Sequence, residues 1–323
     1  MRRSAEARRR AVVVAAAVLA LLLIWGGSAW WHAAHRSGLV RGLELVPGDA
    51  QRISWTDWSA IVDEVGATGG TDGILDRAYA ADLSSVSALV TSASELDRLG
   101  LHLSDVEWEL FAQADDGAVE VLKVADPETW AATLKKATDP ELGLTPELQN
   151  VELRDGLVIT SDNSDYATKV ADRDMVDPNP QMVAAASALR TPLSAVVYSG
   201  DYTCGHLAMS QADELDQAQA RVLLEAAGGV DPMTGFAMGY APDAGHVRVA
   251  MQFENDATAR HDADSRATLA TGDAPGQGGT FRDRFRLGKV EADGSRVTMD
   301  LTPRKDQSVL SDLSSGPVLW ASC

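Results

Sequence analysis

Two tryptophans flank an acid in Trp55-Thr56-Asp57-Trp58, a spacing at which indoles can stack on a sugar ring or a peptide. The same rings fill the layer between a sheet and its helices, and core packing is the favoured reading. Glu107 and Glu109 alternate along one strand pattern and so share a face, where two carboxylates can divide the acid and base roles of a hydrolase. A solvated sheet face is the commoner use of such a pair. Asp162, Asn163, Ser164 and Asp165 offer oxygens to a calcium ion but lack the loop spacing and the distal bidentate glutamate, so they read as a strand-to-helix cap. His102, His206, His246 and His261 stand too far apart for any ligand spacing. Gly272-Asp273-Ala274-Pro275-Gly276-Gln277-Gly278-Gly279 lacks the Lys-Ser/Thr ending of a phosphate cradle and precedes a strand, so it reads as a flexible loop. No P-loop, Rossmann fingerprint, HExxH, EF-hand loop or GxSxG elbow occurs. The sequence therefore assigns no catalytic residue, metal or cofactor.

Cys204 and Cys323 are the only cysteines. Two are too few for a disulfide-dense scaffold or a four-cysteine zinc module, and no CxxC spacing points to redox or metal work. In an oxidising compartment they pair, stapling the segment Gly316 to Cys323 to the middle of the chain.

The N-terminus sets that compartment. Residues 1–10 hold five arginines and one glutamate, and Ala11 to Trp31 holds no charge. As a helix this run spans roughly 31 Å, close to a hydrocarbon core of roughly 30 Å. Trp25, Trp30 and Trp31 suit the lipid-water boundary. Arginines ahead of the span keep the tip cytoplasmic and send the rest out, giving a single-pass cell-membrane protein with its bulk extracytoplasmic. The alternative is a signal peptide cleaved after Ala29, behind Gly27-Ser28-Ala29.

The net charge is −19, and beyond residue 10 the chain carries 23 basic against 46 acidic residues, or −23. A field of that sign opposes phosphate backbones and anionic lipid headgroups, which excludes a nucleic-acid partner and leaves cationic or neutral ones.

The elements that must position these residues are legible in the 323-residue chain, whose 45% hydrophobic and 23% charged content suits a buried core. Residues 36–46 read as a linker. Two similar halves follow, 47–177 and 181–323, divided near Asp177-Pro178-Asn179-Pro180. In the first, a strand over 50–57 precedes one helical region with Leu83, Val86, Val90, Ala93 and Leu96 on a single face. Strands over 106–113 and 118–124 turn at Asp115-Asp116-Gly117. Asp126-Pro127-Glu128 starts a helix carrying Trp130 and Leu134, and a hairpin over 151–154 and 157–160 turns at Asp155-Gly156 before a short helix over 164–173.

The second half repeats that order. A β-rich run covers 193–199, and a helix over 211–227, capped by Ser210, sets Leu215, Val222 and Ala226 on one side. Strands over 235–240 and 246–253 flank a turn at 242–245. A polar helix covers 256–269, and a hairpin over 285–292 and 296–302 turns at Asp293-Gly294. The expected class is α+β, two mostly antiparallel sheet-plus-helix halves with the helices on one face.

The segments LELVPGDAQRISWTDW, GAVEVLKVADPETWAATLKKA, VELRDGLVITSD and the closing VLWASC, behind a hydrophobic anchor, resemble membrane-anchored exported proteins of actinobacteria, families described as domains of unknown function. The resemblance covers most of residues 39–323 and implies an extracytoplasmic, duplicated α+β protein. It brings no catalytic residues.

Three functional readings follow. The first is a tethered module that binds an envelope protein or ligand through one face of its sheet. The second is an envelope hydrolase whose carboxylates meet only in three dimensions, marked by a cleft with two acids of raised pKa. The third is a small-molecule or lipid carrier, which needs an apolar cavity.

Overall fold

The computed structural model describes residues 37–66, 70–137, 144–173, 177–241 and 245–323. The basic tip, the apolar run over 11–31, the cleavage alternative at Ala29 and most of the 242–245 turn lie outside the described residues.

Ten strands form one antiparallel sheet: β1 (Arg52–Thr56), β2 (Val106–Ala114), β3 (Gly117–Val124), β4 (Glu152–Arg154), β5 (Leu157–Ser161), β6 (Ser194–Ser199), β7 (Gly235–Ala241), β8 (His246–Gln252), β9 (Phe285–Asp293) and β10 (Arg296–Pro303). Their order is β4-β5-β3-β2-β1-β6-β7-β8-β10-β9. Outward from the centre, one side runs β1-β2-β3-β5-β4 and the other β6-β7-β8-β10-β9, the same path taken twice. The two paths join where β1 pairs with β6, from Arg52 opposite Tyr198 to Thr56 opposite Ser194.

Among the described residues, ten helices have six residues or more: α1 (Gly38–Leu43), α2 (Trp58–Val65), α3 (Gly70–Ala80), α4 (Ala93–Arg98), α5 (Pro127–Lys136), α6 (Ser164–Asp172), α7 (Pro180–Ser187), α8 (Glu214–Ala226), α9 (Asp256–Leu269) and α10 (Val309–Ser314). Local chemistry explains most boundaries. Asp126 caps α5 ahead of Pro127, Asn163 caps α6, Asn179 caps α7 ahead of Pro180, and Asn255 caps α9. At the β4–β5 turn Asp155 and Gly156 have φ of 51° and 74°, the positive pair that a two-residue hairpin of matching twist requires.

Three expectations are corrected. The helices cover both faces of the sheet, not one. Leu39 and Leu43 of α1, Tyr166 and Val170 of α6 and Met182 of α7 pack on Ile53, Trp55, Leu110, Val121 and Val197. Side chains of α2 to α5 and α8 to α10 pack on the opposite face. The linker expected at 36–46 instead contains α1, and Leu39, Leu43 and Val46 are buried. Its glycines permit a close approach: a Cβ on Gly38 would lie 2.7 Å from the Trp55 ring. The helical region expected around Leu83 to Leu96 is broken, because Asp82 takes a φ of 58° and a 3₁₀ turn at Leu89–Ser92 precedes α4. Leu83, Val86, Ala93 and Leu96 are nevertheless buried and Val90 is half-buried, so the apolar spacing marked the core without marking the helix.

Candidate functional site

β1, β2, β3 and β5 lay a vein of polar side chains across an otherwise apolar face. One row runs Ser194–Thr56–Glu109–Leu122–Val158 and the next Val196–Ser54–Phe111–Glu120–Thr160, set by the strand registers. Glu109 and Glu120 are therefore diagonal neighbours, each only 1% exposed. Thr56, Thr160 and Ser194 are fully buried beside them.

The two carboxylates are held differently. Glu109 accepts from the Trp58 indole N–H at 2.9 Å, from the Ser87 hydroxyl at 2.7 Å, and from the backbone N–H groups of Ala88 and Leu89. Those four donors come from the start of α2 and from the turn at residues 87–89, folded down over the sheet. Burial still raises the Glu109 pKa against these donors. Glu120 has Oε1 without any protein partner, as do the hydroxyls of Thr56, Thr160 and Ser194. Burial, then the charge of Glu109, pushes the Glu120 pKa well above the usual carboxylate range. Donors favour the charged form, so Glu109 is the member that ionises more readily and Glu120 the one that holds its proton more strongly.

Two neighbouring acids with separated proton affinities are what acid–base chemistry uses, but both are buried here, Glu109 beneath α2 and the turn at residues 87–89. The pair differs from the expected Glu107 and Glu109. A bulge lets Val106 to Trp108 span Val124 to Lys123, which puts Glu107 into solvent while Glu109 points inward. Alternation in the sequence carried no sign of that extra residue, and only the depth of strand β3 reveals Glu120.

Trp55 and Trp58 lie on opposite faces of the sheet, 2% and 0% exposed. Trp55 stacks on Trp108 at 5.2 Å between ring centroids and donates to the Pro192 carbonyl at 3.3 Å. Trp58 is engaged by Glu109. Both indoles are core residues here, with no ring face open to a ligand.

Cys204 and Cys323 form a disulfide, with Cα atoms 5.6 Å apart across 119 residues of sequence. Arg266, invisible as more than one residue of a polar helix, holds the same C-terminal segment. Its buried guanidinium pairs with Asp262 at 2.7 Å and donates to the carbonyls of Trp320 at 2.6 Å, Ser322 at 2.9 Å and Asp231 at 2.6 Å. The i,i+4 spacing of Asp262 and Arg266 was the available signal. His261 lies 3.6 Å from Asp231 and 3.4 Å from Asp262, a trio at metal-ligand separation, but Asp262 is committed to Arg266 and to the Asp231 backbone N–H. His102 pairs with Asp97, His206 stacks on Tyr202 and His246 lies 3.4 Å from Asp300. In the acidic run, Asp162 accepts from Ala118 N–H and Asn163 caps α6, as a strand-to-helix cap should. The glycine-rich stretch is pinned by Gln277 donating to the Pro317 carbonyl and Arg284 to the Gln277 carbonyl.

Two larger surface recesses remain. One of about 370 Å³ is lined by Asp57, Asp63, Glu64 and Pro192, and one of about 230 Å³ lies beside the disulfide with Met209, Arg221 and Leu224. Neither is lined by Glu109 or Glu120. No helix among the described residues is long and apolar enough to cross a membrane.

No protein-family model matches the chain, and no curated protein matches it in sequence. Among solved structures it is similar to crystal form I of TP0453, with a TM-score of 0.40, 8% identity, and coverage of 86% of this chain and 97% of that one. A likeness at that level does not extend to function.

Proposed function

We propose that this chain is a membrane-tethered, extracytoplasmic binding module of the cell envelope, held by one N-terminal helix and engaging an envelope protein or ligand. The disulfide is the observation that carries the reading, because such a bond persists where the surroundings oxidise thiols. The basic tip and the uncharged run behind it point to the same compartment. The matched strand paths on either side of the β1–β6 pair favour descent from a duplicated unit, with each half contributing five strands to one sheet. Because helices cover both faces of the central strands, recognition falls to helices, loops and the acidic recess at Asp57, Asp63 and Glu64 rather than to a bare sheet face. A field of this sign draws cationic partners, leaves neutral ones open and repels nucleic acid. The hydrolase reading draws on Glu109 and Glu120, yet both are buried, and Glu109 would need the turn at residues 87–89 to lift before it met a substrate.

The test is thiol labelling of intact, wall-permeabilised cells with a membrane-impermeant reagent. Cys204 and Cys323 should label only after reduction, and external protease should remove the domain. Free thiols that label only after lysis would defeat the compartment. In-cell crosslinking followed by mass spectrometry should then return a recurrent envelope partner. Turnover of a glycan or peptide substrate, lost in Glu109→Gln, would instead establish the hydrolase.

A further inference from the structure

Asp231, His261 and Asp262 bring three metal-ligating side chains together on α9, with their donor atoms all within 4.8 Å of one another. The loop after α8 makes this possible. Gly228 and Gly229 take φ of 96° and 82°, a backbone that suits glycine and turns the chain back over α9. There Ser265 donates to the Ala227 carbonyl at 2.9 Å, Arg266 to the Asp231 carbonyl at 2.6 Å, and the Asp231 N–H to the Asp262 carboxylate at 3.1 Å. Asp231 is thus pinned through both its backbone groups, while its half-exposed carboxylate faces His261. Asp262 is held on one side only. Its Oδ1 takes the Arg266 Nε at 2.7 Å, whereas Oδ2 shares the Asp231 N–H at 3.2 Å and is turned toward the His261 ring.

The distances separate this trio from a plain ion pair. His261 Nδ1 lies 3.6 Å from Asp231 Oδ2 and 3.4 Å from Asp262 Oδ2, both longer than the roughly 2.7–3.2 Å usual for a nitrogen–oxygen hydrogen bond. His102 shows the other case, its Nδ1 only 2.6 Å from Asp97. Ligands bound at roughly 2.0–2.1 Å to a tetrahedral ion stand roughly 3.3–3.4 Å apart, close to the spacing around His261 Nδ1. We infer that Asp231, His261 and Asp262 form a site for a divalent transition ion, zinc foremost, bound through Nδ1 and one oxygen of each carboxylate with a fourth position left to solvent. Calcium would call for about six to eight oxygens, whereas one imidazole with two carboxylates suits zinc and its neighbours. Arg266 is the outer partner, since by holding Oδ1 it aims Oδ2 at the ion. Its charge offsets that of Asp262, so attraction comes from Asp231 and from the acidic chain around the site. A bound ion would bridge the loop before β7 to α9 and, through Arg266, reinforce the hold on the carbonyls of Trp320 and Ser322. This inference stands apart from the envelope reading, because none of its residues belongs to the N-terminal run or to the acidic recess.

The experiment is calorimetric titration of Zn²⁺ into the full, untagged chain in detergent at pH 7.5, with the disulfide intact. One ion should bind per chain at micromolar concentration or tighter, and it should raise the thermal midpoint because the native state alone presents all three ligands together. His261→Ala and Asp231→Asn should each weaken binding at least about tenfold, the least that even loss of an outer partner costs a metal site. Both side chains are 51% exposed, so the variants should keep the wild-type midpoint in the absence of metal. Asp231→Asn preserves the shape of its side chain and carries the test if His261→Ala is destabilised. His102→Ala removes an imidazole outside the site and should leave zinc binding unchanged. X-ray absorption at the zinc edge should show one imidazole nitrogen among oxygens and no sulfur. Lack of saturable uptake below millimolar zinc overturns the inference. Binding that survives both His261→Ala and Asp231→Asn overturns it as well, giving the ion to other ligands, and so does a loss of equal size in His102→Ala.

Discussion

Glu109 and Glu120 are one residue type in one buried layer, and they should answer substitution in opposite ways. Glu109→Ala leaves the Trp58 indole, the Ser87 hydroxyl and two backbone N–H groups facing an empty acceptor, at about 3–5 kcal/mol for a group so committed. Glu120→Gln removes a carboxyl whose Oε1 has no partner, and it should leave stability at neutral pH unchanged or raised. Urea denaturation of both variants at pH 7.5 distinguishes them, and equal losses would show that Glu120 has a partner of its own. Acidity follows the same logic. A carboxyl whose native pKa lies above its unfolded value keeps its proton after the unfolded chain has lost one, so stability falls as pH rises through that interval. Glu109, Glu120 and Asp82 all shift upward, Asp82 to about 6 through burial. The thermal midpoint should therefore be higher at pH 5 than at pH 7.5, with a smaller difference in Glu120→Gln. Asp97, Asp126 and Asp283 shift downward and act only at lower pH, below this window. Little of this was legible in the sequence, because a glutamate on a strand reads as solvated until the bulge at Glu107 and the cover over β3 are known.

Elements were far more legible than their depth. Asp-Gly turns, Asn and Asp caps and first-turn prolines act within a few residues of themselves, so β4–β5, α5 and α9 fall nearly where the pattern puts them. Burial depends on partners distant in sequence, which is why 36–46 reads as a linker and why the spacing of Leu215, Val222 and Ala226 puts them on one side of α8 without showing that Leu215 and Val222 face solvent. Asp82 shows the same dependence. It sits in a first-half loop and accepts from the backbone N–H groups of Leu310 at 2.7 Å and Ser311 at 3.1 Å, capping α10 from 228 residues away. No local pattern at Ser308 or Val309 announces that cap. Asp82→Ala should cost about 1–2 kcal/mol by removing it and by forcing a β-carbon without a polar group into a φ of 58°. Asp82→Asn retains an acceptor and tolerates that backbone, so it should cost less. Hydrogen exchange at Leu310 and Ser311 reads the cap directly: faster exchange in Asp82→Ala with slow exchange in Asp82→Asn is expected, and equal rates would place the cap elsewhere.

At the scale of the molecule, two devices hold one segment. Leu319 to Ala321 is buried against the second half, tied by the disulfide at Cys323 and by Arg266 at the carbonyls of Trp320 and Ser322. Closing a loop of this length restricts the unfolded chain by about 4–5 kcal/mol on chain-entropy arithmetic. Arg266→Met should cost about 3–5 kcal/mol, because Asp262 would be left buried without its counter-charge. These losses should not add. Once the disulfide is reduced, the terminal segment has a smaller penalty for leaving, and carbonyls that have left no longer need the guanidinium. Urea unfolding of wild type and Arg266→Met, each oxidised and reduced, measures the coupling as the difference between the combined loss and the two single losses. A combined loss smaller than their sum by about 1 kcal/mol or more is expected for groups sharing one segment. Strict additivity would mean that Arg266 stabilises α9 through Asp262 alone, with the terminal carbonyls held by the Trp320 ring packing among Phe236 and Phe281.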